Sequence, residues 1–135
     1  MITQKSHLKS QNHNSNVKSN DVKVRAYNFS LAIIRLVNSL PNRRAFWVIA
    51  DQLLRAATSI GANMMEAKSS SSKRDFIRFY EIALKSANET KYWLYLLRDS
   101  YDDLMPICEK LLNEVTEISN MLGSSILTLK GKNRF

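Results

Sequence analysis

Apolar residues recur at helical spacing along most of this chain, and that spacing constrains the fold more than any other feature. In the last third, successive apolar residues are separated by steps of three or four. With three Gly and two Pro among 135 residues, the chain has few turn formers, which favours long helices over many short strands. The near-heptad seam comprises Leu104, Cys108, Leu111, Val115, Ile118, Leu122 and Ile126.

Four segments show this period, and signals that start or stop helices lie between them. Pro41 disfavours helix in the residue before it and ends the first segment. Ser72 is suited to cap the third helix, and Pro106 is tolerated in the first turn of the fourth. Matched lengths and short links predict an all-α, antiparallel up-down four-helix bundle, since a three-helix bundle would leave one apolar stripe in water. The predicted helices span about 22–40, 43–68, 73–98 and 104–129.

The two ends differ from the body in composition. Residues 1–20 are polar and basic with almost nothing to bury, which predicts a disordered tail. Residues 21–129 form the predicted bundle domain, and residues 130–135 a short basic tail. No apolar run suggests a secretory signal or a membrane span, and a single cysteine excludes an intrachain disulfide. We therefore expect a cytoplasmic protein.

The formal net charge of +8 is distributed unevenly. Residues 1–25 hold five basic residues and one acidic residue, and residues 130–135 hold three basic residues. Within the body, residues 26–98 carry eleven basic and five acidic residues, whereas residues 99–129 carry one basic and six acidic residues. This division favours self-association as readily as it favours binding to an anionic partner.

Two of the predicted helices carry more apolar residues than one core needs. The extra residues are periodic themselves, and a contiguous exposed apolar face usually marks an interface. Scattered surface hydrophobics, which are normal, are the alternative. The candidate residues for a homo-oligomer interface are Tyr27, Leu31 and Ile34 on the first helix and Ile82 and Trp93 on the third.

No constellation of catalytic, metal-binding or cofactor-binding residues is visible. Both histidines, His7 and His13, fall in the predicted tail. Cys108 lies on the apolar seam, where a small buried hydrophobe is favoured over a nucleophile. Asp102 and Asp103 precede a helix, where capping explains them better than a metal site does. We therefore predict no enzyme activity and no cofactor.

Basic residues gather at two places that binding to phosphates would explain. Four of them flank the serine run at 69–72, and a pair stands at the start of the second helix. The second helix separates the two groups, so we expect them at opposite ends of the bundle. Solvated helix ends would account for them equally well. The candidate nucleic-acid contacts are Arg43, Arg44, Lys68, Lys73, Arg74 and Arg78.

A polar stripe runs along the second helix. Arg55, Ser59, Asn63 and Glu66 fall within about 80° of arc, opposite the apolar side. Periodicity alone favours a plain solvent face. The alternative is a polar contact surface towards another subunit or a ligand.

The segment DQLLRAATSIGANMMEA, residues 51–67, resembles the 23S rRNA intervening-sequence proteins, also called S23 proteins. The resemblance extends over about residues 27–129 and continues strongly through SSKRDFIRFYEIALKSANET, residues 71–90. Ala67 and Lys85 depart from the family pattern, which commonly has Gly at both positions. The matching residues are Gln52, Arg55, Ala56, Ser59, Ile60, Asn63, Glu66, Phe76, Ala83, Ser86 and Glu89.

This resemblance implies an up-down four-helix bundle that commonly assembles as a ring-like homopentamer. The family is similar to accessory proteins of diversity-generating retroelements, which associate with a reverse transcriptase and bind nucleic acid. The resemblance also implies a shared structural or interface role for the residues of the polar stripe, together with Ser86 and Glu89. Two hypotheses follow for the function: an oligomer that binds RNA or a ribonucleoprotein through its basic surface and tails, and a protein-interaction scaffold that binds no nucleic acid.

Overall fold

Four α-helices account for nearly all of residues 21–131, the part of the chain that the structure, a computed structural model, describes. They are α1 (Val22–Ser39), α2 (Arg44–Lys68), α3 (Lys73–Ser100) and α4 (Met105–Gly131), with a short 3-10 helix at Asp102–Leu104. No strand occurs among these residues, which confirms the all-α prediction. The predicted tail at 1–20, with His7 and His13, and residues 132–135 lie outside the described part.

The helix starts follow from local capping. The carboxylate of Asp21 accepts a hydrogen bond from the backbone N–H of Lys23 at 2.9 Å and caps α1. Ser72 Oγ accepts from the backbone N–H of Asp75 at 3.1 Å, which confirms the predicted cap of α3. Leu40 is extended before Pro41 and ends α1.

The later boundaries differ from those predicted. Helix α3 continues to Ser100, and the 3-10 helix follows after Tyr101 alone, so the predicted link at 99–103 is largely helical. Helix α4 continues to Gly131 and thereby includes Lys130, which the sequence had suggested for the tail.

Helices α2 and α3 are antiparallel. The ring of Phe46, near the start of α2, packs edge-on against Tyr101, just after the end of α3, with centroids 5.8 Å apart. Farther along, Ser59 Oγ and Ser86 Oγ lie 2.9 Å apart. As residue numbers rise in α2, those of the contacting residues in α3 fall, as short links require.

Helices α3 and α4 are antiparallel by the same test. Arg98 Nη1 lies 3.2 Å from Glu109 Oε1 where the pair begins, and Lys130 Nζ lies 2.8 Å from Glu81 Oε2 where it ends. Helix α1 then closes the bundle, because it packs against both α2 and α4. The predicted up-down arrangement is confirmed.

The core consists of the predicted stripes. All seven residues of the near-heptad seam in α4 are buried. Thr90, the fully buried threonine of α3, donates its hydroxyl hydrogen to the backbone oxygen of Ser86 at 2.8 Å, so its polar group is satisfied within its own helix.

Candidate nucleic-acid interface

Three basic side chains emerge from the first two turns of α3. Lys73 and Arg74 follow the capping residue Ser72 directly, and Arg78 lies one turn beyond Arg74. All three are exposed. The guanidinium of Arg78 also lies 5.4 Å from the centre of the Phe79 ring, a favourable cation–π distance.

The last turn of α4 adds a fourth cation beside them. Lys130 is brought to α3 by the antiparallel packing and donates a hydrogen bond to Glu81 Oε2 at 2.8 Å. Together these side chains line an open depression of about 510 Å³, which we call the basic groove. It contains four cations and one carboxylate, and the carboxylate is already bonded to Lys130. The lining residues are Lys73, Arg74, Ile77, Arg78, Glu81 and Lys130.

A second depression, of about 350 Å³, lies on the other side of the first turn of α3. It is lined by Ser70, Ser71 and Ser72 of the serine loop between α2 and α3, together with Ala67, Lys68, Lys73, Phe76 and Leu129. Because Lys73 lines both depressions, the two are adjacent. This end of the bundle therefore presents five basic side chains from three helices.

Arg43 and Arg44 lie at the other end, as predicted. Helix α2 has 25 residues, so its two ends are about 37 Å apart. The guanidinium of Arg43 lies 5.5 Å from the centre of the Tyr101 ring. In the sequence, Tyr101 is followed directly by Asp102 and Asp103. Two carboxylates, those of Asp102 and Asp103, therefore lie at the same end of the bundle as the two arginines.

The central part of the polar stripe joins α2 to α3. Besides the contact between Ser59 and Ser86, the side-chain amide of Asn63 donates to Ser59 Oγ at 2.9 Å and to the Ser59 backbone oxygen at 2.8 Å. All three side chains are half-buried. They form a satisfied network that fixes the register of two helices, so these positions are not plain solvent face.

The outer members of the stripe behave differently. Arg55 and Glu66 are exposed. Glu89 accepts a hydrogen bond from the indole N–H of Trp93 at 3.0 Å, one turn along the same helix. Glu89 thereby holds Trp93, which is half-buried and packs against the core.

The proposed interface residues are partly covered by their own chain. Ile34 and Ile82 retain 40% and 39% of their surface, while Tyr27, Leu31 and Trp93 are half-buried. Sequence reasoning missed Trp47, which is 61% exposed near the start of α2. A Trp placed off the apolar stripe of an amphipathic helix was the available signal.

Cys108 is fully buried, and burial raises the pKa of its thiol to about 11, so the thiol stays protonated and unreactive near neutral pH. Residues 21–131 contain no group of three or more His, Cys, Asp or Glu side chains placed to hold a metal ion. Over the same range, no helix combines the length and apolar character that a membrane crossing requires.

A family model described as "23S rRNA-intervening sequence protein" matches residues 18–124, which include all of α1 to α3 and most of α4. The chain belongs to this family. A solved structure from the S23 ribosomal protein family of Bacteroides thetaiotaomicron, titled a protein with unknown function, superposes with a TM-score of 0.74. It is 42% identical, and the match covers 78% of this chain and 98% of that one. Among curated proteins, none matches the sequence.

Several of the residues that carried the family resemblance have a structural role in this chain. Ser59, Asn63 and Ser86 belong to the family pattern and form the network between α2 and α3. Their role here is to hold two helices together. The basic groove depends instead on Lys130 of α4, which lies beyond the part of the chain that the family model matches.

Proposed function

We propose that this member of the family is a non-enzymatic, oligomeric protein that binds RNA through the basic end of its bundle. The observation that carries the proposal is the basic groove, where Lys73, Arg74, Arg78 and Lys130 surround a single carboxylate. Phosphate oxygens of a nucleic-acid backbone are suited to such a cluster, because each neutralised phosphate releases condensed counterions.

The distribution of ion pairs supports this location. Two basic side chains elsewhere are paired within the molecule: Arg25 pairs with Glu114 and Glu117, and Arg98 pairs with Asp99 and Glu109. The contrast between a basic and an acidic part of the sequence is thus partly neutralised inside the bundle. At the start of α3 and the end of α4, four cations line one groove together with the single carboxylate of Glu81.

Self-assembly is the second part of the proposal. Ile34 and Ile82 are exposed on α1 and α3, and Trp47 adds a large apolar side chain on α2. Large apolar side chains that remain exposed on three helices are candidates for contact with another subunit. A homo-oligomer, with the pentamer that the family resemblance implies, would bring several basic ends together and increase the avidity for one RNA.

A scaffold that binds no nucleic acid is the competing function. The two proposals separate in one titration, in which full-length protein is added to a fluorescein-labelled fragment of 23S rRNA at several salt concentrations. RNA binding predicts an affinity that falls steeply between about 50 mM and 200 mM salt, because phosphate contacts dominate. Absence of binding at about 50 mM salt would overturn the RNA proposal and leave the scaffold, whose oligomeric state light scattering coupled to size exclusion would measure.

A further inference from the structure

We propose that the RNA is held as an unpaired strand along the outward side of α3, with one base stacked on Tyr92. This inference rests on the proposed RNA-binding function and extends the basic groove along the helix. Three observations support it. Exposed cations form a line along α3, an aromatic ring that packs against its neighbour lies at the end of that line, and the nearby carboxylates accept hydrogen bonds from other side chains.

The cations and the ring share one side of the helix. At 100° per residue, Arg74, Arg78, Lys85 and Tyr92 fall within about 40° of arc. All four are exposed, and Tyr92 retains 56% of its surface. Over 18 residues the line extends about 27 Å. We call these four residues the α3 track.

The two carboxylates that flank the α3 track are held by other side chains. Glu81 accepts a hydrogen bond from Lys130, and Glu89 accepts one from the Trp93 indole. Lys130 offsets the charge of Glu81 beside Arg78. The charge of Glu89 is directed towards Trp93 on the α2 side of the helix. The three cations of the α3 track therefore outnumber the two carboxylates beside it, and one of these carboxylates is paired with Lys130.

Tyr92 has the position and the support that a stacking surface needs. Its ring meets Trp93 edge to face with centroids 5.0 Å apart, and Trp93 is itself fixed by Glu89 and by packing on the core. A ring that is ordered before binding loses little conformational entropy when a base covers it. Stacking on aromatic side chains accepts any base, because every base has a π-face.

An unpaired strand fits this arrangement better than a duplex. In a duplex the faces of the bases are stacked on one another, so Tyr92 has no base face to meet. In a loop or a free strand, the bases can be splayed outwards while the phosphates follow the cations. The combination of a basic line with an aromatic ring is typical of proteins that bind single strands.

The test compares Tyr92→Leu with a matched tyrosine on the same helix. Tyr95 is also exposed, but it lies about 60° around the helix from Tyr92 and contacts Arg98. Affinities would be measured by fluorescence anisotropy with oligouridine and oligothymidine of about 16 nucleotides, and with an RNA duplex of the same length. The two single strands separate RNA from DNA as the source of the shared chemistry.

We expect Tyr92→Leu to weaken binding of the single strands at least about fivefold, and Tyr92→Phe and Tyr95→Leu to leave it unchanged. Duplex binding should be weaker in the native protein and indifferent to Tyr92→Leu. Unchanged binding of single strands by Tyr92→Leu, or a preference for duplex, would overturn the inference while leaving RNA binding intact. Loss of the native oligomer in Tyr92→Leu would also overturn it, since Tyr92 would then belong to a subunit contact. Absence of binding to every nucleic acid at low salt would overturn the proposed function as well.

Discussion

Arg25 Nη2 lies 2.7 Å from Glu114 Oε1, and this contact joins the first helix of the bundle to the last. A second hydrogen bond from Arg25 Nε to Glu114 Oε2, at 3.0 Å, makes the pair bidentate, and Glu117 accepts a third at 3.0 Å. Arg25 is only 8% exposed. These hydrogen bonds, above all those that Arg25 donates to Glu114, raise the pKa of Arg25 above its ordinary value, so the guanidinium stays charged at every accessible pH.

Replacing Arg25 with Ala should lower the free energy of unfolding by about 2 kcal/mol, because a half-buried Glu114 then loses its bidentate partner. Urea unfolding followed by circular dichroism measures this loss. Arg35→Ala is the matched control, since Arg35 is exposed on the same helix. Equal unfolding midpoints for the two variants would show that the contact contributes nothing to stability.

Gly61→Ala should stabilise the bundle by about 0.5–1 kcal/mol. An added Cβ would lie 3.8 Å from the Cβ of Ala26, an ordinary van der Waals distance, and alanine favours the helix interior. Gly123→Ala, where the added Cβ meets nothing within 4 Å, should give a similar gain. A lower thermal midpoint for Gly61→Ala alone would mean that α1 and α2 pack more closely than described.

The hydroxyl pair of Ser59 and Ser86 should show a coupling energy of about 0.5–1 kcal/mol in a double-mutant cycle of serine-to-alanine changes. The two hydroxyls are bonded across α2 and α3, and Asn63 adds a donor to Ser59. Chemical denaturation of the native protein, both single variants and the double variant supplies the four free energies. Strict additivity would indicate that the family-motif serines act independently, against a shared role in holding the two helices.

The buried thiol of Cys108 should make the free energy of unfolding depend on pH in the alkaline range. Since burial raises the pKa of the thiol from 9.0 to about 11, the folded state retains a proton that the unfolded state releases. Its contribution to stability is complete below pH 9 and is lost as the pH rises towards 11. Across that range, the free energy of unfolding should fall more steeply with pH for the native protein than for Cys108→Ala. Parallel curves would contradict this assignment.

The helices and the core followed from the sequence because period and capping are local. The seam from Leu104 to Ile126 is buried at every position, and Ser72 caps α3 as the sequence predicted. Contacts between distant residues were not predictable in the same way. The sequence places Arg25 in the first helix, but nothing local indicates that α4 carries its carboxylates.

The candidate site likewise has a part that the sequence predicted and a part that depends on contacts between distant residues. Lys73, Arg74 and Arg78 were predicted from their neighbours in sequence, whereas Lys130 joined them only because α4 continues to Gly131 and runs antiparallel to α3. The separation of Arg43 and Arg44 from that end followed from the length of one helix. The net charge at the end that holds Arg43 and Arg44 could not be predicted in this way, because it depends on where Asp102 and Asp103 lie in the fold.

The claim that RNA binds at the basic end is tested most directly by removing two charges from either end. Arg74→Gln with Arg78→Gln alters the basic groove, and Arg43→Gln with Arg44→Gln alters the opposite end by the same net charge. Titration of a labelled 23S rRNA fragment over a range of salt concentrations measures both affinity and salt slope. The account predicts that the first variant binds more weakly and with a slope shallower by roughly 1.5–2, while the second remains close to the native protein. Equal losses from both variants, or a larger loss from the second, would contradict it.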